Sequence, residues 1–113
     1  MKEFRDASGR LSIHLDDDDR RFLLYASRIE DKIKARLIRK QEGLDQRYCD
    51  FDVGGVTVVL HADVFAGVSI HVEDGSHDEL LRDMADMVSK EQRESPNSRS
   101  SRPVNTLALP KLQ

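Results

Sequence analysis

The chain has 113 residues, 38% of them apolar and 35% charged, with a formal net charge of −3. That length holds one hydrophobic core and no more. No apolar run is long enough to span a bilayer, and a lone cysteine, Cys49, excludes an internal disulfide and a cysteine-only zinc site. Residues 1–6 lack the apolar stretch of a secretory leader, so a cytoplasmic location is expected. The charge is uneven. Residues 94–113 carry +2 (Arg99, Arg102 and Lys111 against Glu94), which leaves 1–93 at −5. An acidic body argues against general duplex binding, which needs clustered cations to displace counterions.

Residues 3–15 read as a β-hairpin turned at Ala7-Ser8-Gly9, with Leu11, Ile13 and Leu15 alternating with Ser12 and His14. Four aspartates at 16–19 then predict a helix N-terminus, supplying a cap and negative charge at the positive end of the dipole. The helix is expected to run to about Lys40 on a stripe of Phe22, Ala26, Ile29, Ile33 and Leu37. Lys32, Lys34, Arg36, Arg39 and Lys40 would fill its last turns, and Gly43 would terminate it.

Over residues 47–73 the period becomes two. Cys49, Phe51, Val53, Val56, Val58, Leu60, Val68, Ile70 and Val72 face one way across a three-stranded meander turned at Gly54-Gly55 and at 63–67. Ser76 to Glu79 fits a capping box and opens a second helix with Leu80, Met84, Met87 and Val88 buried. Ser95, Pro96, Asn97, Ser98, Ser100, Ser101 and Pro103 cannot build a core. The expected organisation is one globular domain, 1–93, and a flexible tail, 94–113, ending in the more apolar Leu107-Ala108-Leu109-Pro110-Lys111-Leu112. The order β-β-α-β-β-β-α points to an α+β fold: a single, mostly antiparallel sheet with two helices packed on one face.

That arrangement leaves the opposite sheet face open, and strand parity places the candidate site there. Tyr48, Asp50, Asp52, Thr57, Val59, His61, His71 and Glu73 would form an acidic binding surface for a protein partner, a basic one being favoured, or for a second copy of the chain. The expected function is a non-enzymatic binding module of inhibitor, immunity or adaptor type, acting through this face, the tail or both, with no cofactor. The first alternative is a metal-binding protein or metal-dependent enzyme. His61-Ala62-Asp63 and His71-Val72-Glu73 are same-face histidine–acid pairs, and His14 lies on the same side, with Asp50 and Asp52 within the same region. Neither pair matches a specific metal motif. A weaker alternative is RNA binding along a helical stripe of Lys32, Arg36, Arg39 and Lys40, without aromatic residues interleaved for base stacking. Cys49 falls on the core face and reads as an inert buried thiol. No glycine-rich phosphate loop and no G-x-S-x-G nucleophile motif occurs.

Overall fold

The structure is a computed structural model describing residues 2–94; the expected tail beyond Glu94 lies outside the described residues. Six strands form one antiparallel sheet: β1 (Lys2–Arg5), β2 (Leu11–Asp16), β3 (Arg36–Glu42), β4 (Gln46–Val53), β5 (Val56–Asp63) and β6 (Gly67–Val72). Their spatial order is β1-β2-β6-β5-β4-β3, so β1 and β3 are the two edges. A 3₁₀ turn (Asp19–Arg21), helix α1 (Phe22–Arg28) and a single wide π turn (Ile29–Ile33) carry the chain from β2 to the far edge. The β3–β6 meander then returns to β2, and α2 (Asp78–Glu94) follows. Among the described residues, no helix is long and apolar enough to cross a membrane.

The α+β class and the antiparallel sheet are as expected. The long first helix is not. It ends at Ile33, where Lys34 takes a left-handed conformation (φ 63°), and residues expected in its last turns form β3. On a helix, Lys32 to Lys40 would stack five cations over two turns. On a strand, Arg36 comes opposite Asp52 and Arg39 opposite Asp50, and each pair meets an opposite charge across the ladder. The adjacent apolar pair Leu37-Ile38 suits either period, so it did not discriminate between them. Gly43 terminates no helix; it sits in the β3–β4 hairpin, where its N–H donates to the Gln46 carbonyl at 2.7 Å.

The aspartate run does start the first helical segment. Asp18 caps the 3₁₀ turn by accepting from the Arg20 N–H. Asp16 accepts from Tyr25 Oη at 3.0 Å and pairs with Arg21 at 2.9 Å, pinning the end of β2 to the segment that follows. Phe22, Tyr25 and Ile29 are buried against Phe51, Val58, Leu60, Ile70 and the inner residues of α2. A fully buried side chain of that size contributes roughly 1.5–3 kcal/mol.

The buried stripe of α2 is Leu81, Met84, Ala85 and Val88, while Met87 is exposed. Its phase is rotated from the expected Leu80–Met84–Met87 reading, because two adjacent leucines permit either face. The expected capping box is also absent in that form: Ser76 bonds Asp74 and His77, and the helix begins at Asp78. Glu3 and Arg5 turn to the helix side of β1 and pair with Arg82 and Asp78, tying that edge to α2.

Candidate functional site

Both helices pack on the face bearing Leu11, Ile13, Cys49, Phe51, Val58, Leu60, Val68 and Ile70. The other face is uncovered by any element among the described residues, and its side chains fall into cross-sheet rows fixed by the register. One row runs Phe4, Ser12, His71, Val59, Asp50, Arg39. The next runs Lys2, His14, Ser69, His61, Tyr48, Gln41, and a third places Thr57, Asp52 and Arg36 side by side.

Seven of the eight expected site residues share this face: Tyr48, Asp50, Asp52, Thr57, Val59, His61 and His71. Glu73 lies in the turn just past β6, where its N–H donates to the Thr57 carbonyl at 2.9 Å. Sequence reasoning placed Arg36 and Arg39 on a helical basic stripe and so missed them as the two residues that set the charge of this face. A signal for them existed: two arginines and two aspartates placed on either side of Gly43-Leu44-Asp45, a turn-forming stretch between alternating segments.

The face is therefore ion-paired instead of acidic. Both the Nε and Nη2 of Arg39 donate to Asp50 Oδ2, at 3.1 and 2.9 Å. Arg36 Nη2 reaches Asp52 at 3.4 Å, and the other oxygen of Asp52 accepts from the Gly55 N–H at 2.9 Å, holding the β4–β5 turn. Asp50 is only 8% exposed and Val59 beside it 7%. The apolar residue in the polar face is thus roofed by its longer neighbours, which explains its presence there.

Tyr48 and His61 stack face to face with centroids 4.5 Å apart and planes 5° from parallel. The Tyr48 hydroxyl donates to Gln46 Oε1 at 2.6 Å, and His61 Nε2 lies 3.3 Å from the same atom. Burial pushes the His61 imidazole below its ordinary pKa, against a smaller opposing pull from Asp63. His71 is pushed further, to about 4, by burial first, then by the positive field of Arg10 and, once that ring is itself protonated, of His61. Both rings are held neutral at physiological pH.

The metal and RNA alternatives have less to stand on. His14 is separated from His61 by Ser69 on the intervening strand, and its Nε2 pairs with Asp17 at 2.7 Å. His71 lies in a different row. Among the described residues no group of three or more His, Cys, Asp or Glu side chains is placed to hold a metal ion. The basic helical stripe does not exist as such: Arg36, Arg39 and Lys40 lie on β3, with both arginines engaged by aspartates. Cys49 is buried on the core side, and burial raises its thiol pKa, as expected of an inert cysteine. No protein-family model, curated protein or solved structure matches the chain.

Proposed function

We propose that this chain is a non-catalytic protein-binding module that engages its partner through the uncovered sheet face. The observation that supports it is the state of that face: six strands wide, without a covering element among the described residues, and already ordered by its own contacts. Arg39–Asp50, Arg36–Asp52 and the Tyr48–His61 stack hold the side chains in place before any partner arrives. Association then loses less side-chain entropy, which is how a pre-organised surface gains affinity. Thr57, Tyr48, His61 and His71 are the contact residues, and Val59 is the roofed centre.

Because Asp50 and Asp52 are matched by arginines, recognition rests on shape and hydrogen bonding more than on long-range attraction of a basic partner. Tyr48, on the strand next to the β3 edge, supplies amphipathic contact area at low entropic cost. The concavity of about 410 Å³ lined by Lys2, His14, Leu15, Asp16 and Asp17 is wide open to solvent, unlike the enclosed clefts that bury small substrates.

The test is co-purification of the full chain from its native source, in parallel with Ser69→Arg. Ser69 stands between His14 and His61 on β6, so the substitution places a bulky cation in the interior of the face, away from the core and from both arginine–aspartate pairs. A stoichiometric partner retained by the original chain and lost from the variant is the expected result. A partner held equally by both moves the contact off this face, and a chain that co-purifies with nothing overturns the module reading.

A further inference from the structure

We infer that the β3 edge is a self-association seam, through which two copies pair antiparallel and join their sheets into one of twelve strands. This surface is distinct from the face proposed above for a partner. All seven residues of β3 are exposed, and the strand has a neighbour on one side only. The Gly43 N–H bonds the Gln46 carbonyl, which sets the alternation along the hairpin. Gly43, Gln41 and Arg39 exchange backbone bonds with β4, and Lys40 and Glu42 turn their N–H and C=O outward. Native edges are guarded by bulges and charges. Here the bulge falls between Leu37 and Arg39, leaving the stretch beyond it free to pair.

A two-fold axis through Gln41 satisfies that stretch in three respects. It makes Lys40 and the partner's Glu42 a hydrogen-bonded pair of residues on the ladder, and Glu42 and the partner's Lys40 the second. Both pairs bring opposite charges together on the helix side of the sheet, and among the described residues neither side chain has another ionic partner. Ile38, at the bulge, and Leu44, in the hairpin bend, flank the pairing stretch at its two ends, so the same axis brings the partner's Leu44 toward Ile38. Leu44 is 100% exposed and Ile38 48%, so the pairing draws two exposed apolar side chains toward one another. Arg39 meets the partner's Gly43 across the seam, and its charge is already taken by Asp50, so like charges do not oppose there. The opposite edge, β1, is four residues long and tied to α2 by its own ion pairs.

Sedimentation of the full chain over a concentration series reads the state directly. A reversible species of twice the 12.9 kDa chain mass is expected. Lys40→Glu and Glu42→Lys should each weaken dimerisation about tenfold, since like charges directly opposite on a ladder are destabilising. The double exchange Lys40→Glu with Glu42→Lys should restore it. Thermal unfolding of each variant at low concentration should match the original chain, which separates loss of the seam from loss of the fold. Amide exchange at Lys40 and Glu42 should slow as concentration rises. A monomer at every concentration overturns the inference, as does a dimer indifferent to the charge exchanges. Protection of those amides that is independent of concentration also overturns it, because it would put a segment of the same chain, such as 107–112, on the edge.

Discussion

Asp50 is a carboxylate on a sheet face, one strand in from the edge, with almost no contact with water, and Arg39 is what makes it tolerable. Its two donors converge on one oxygen, while the arginine itself remains largely open to solvent. Removing the arginine strands a nearly buried negative charge. Arg39→Ala is expected to destabilise the fold by about 1–3 kcal/mol. Arg36 makes the same kind of contact with Asp52, but at 3.4 Å and in a more exposed position; Arg36→Ala should cost no more than about 0.5 kcal/mol. Urea unfolding of the two variants side by side checks the difference. Equal costs would mean that burial of Asp50 is not what gives the Arg39 pair its weight.

At the scale of elements, the β5–β6 connection depends on one glycine. Gly67 has φ +89°, and a Cβ there would sit 2.1 Å from the Asp16 carbonyl oxygen on the neighbouring strand. Gly9, at φ +90°, has nothing within 4 Å of the same position. The two share the conformational penalty of a side chain at positive φ and differ in the close approach. Gly9→Ala should cost about 1 kcal/mol, and Gly67→Ala about 2–4 kcal/mol because backbone must also move. Denaturant midpoints measure both, and a similar loss at the two sites would reduce the Gly67 effect to backbone conformation alone. The β3 segment makes the complementary point. Its local sequence is compatible with helix, and as a strand it brings Arg39 and Arg36 opposite Asp50 and Asp52, which would otherwise be unmatched.

For the molecule as a whole, the half-buried imidazoles link stability to pH. His71 titrates near 4 in the fold, against an ordinary value of 6.5. Above about pH 6.5 the ring is neutral in both the folded and the unfolded chain, and it contributes no pH dependence. Between about 6.5 and 4 only the unfolded chain takes up the proton, so stability falls as pH falls. Below 4 both states are protonated and the loss levels off. With solvent screening allowed for, the fall amounts to about 1–2 kcal/mol, and His61 adds to it in the same direction. Unfolding free energies measured across this window should decline for the original chain and decline less for His71→Gln. An unchanged slope in the variant would assign the effect to other groups.

Much of this architecture was legible from residues alone, and the reason lies in which interactions are local. The alternation of residues 47–73 determined three strands, their inward faces and the seven residues that share the uncovered face, because period-two patterning depends only on neighbours along the chain. The four aspartates likewise marked the start of the first helical segment, since capping is satisfied within a few residues. The fate of residues 34–42 and the phase of α2 were decided by tertiary structure. In β3 the pattern permits helix or strand, and the Arg39–Asp50 and Arg36–Asp52 pairs across the hairpin settle it. In α2 adjacent leucines permit two faces, and packing against the sheet selects Leu81. The sequence by itself determined that one sheet face is polar. Only the paired strands decided that this face is charge-balanced, because opposite charges cancel by meeting in space, and that meeting is set by the register between strands.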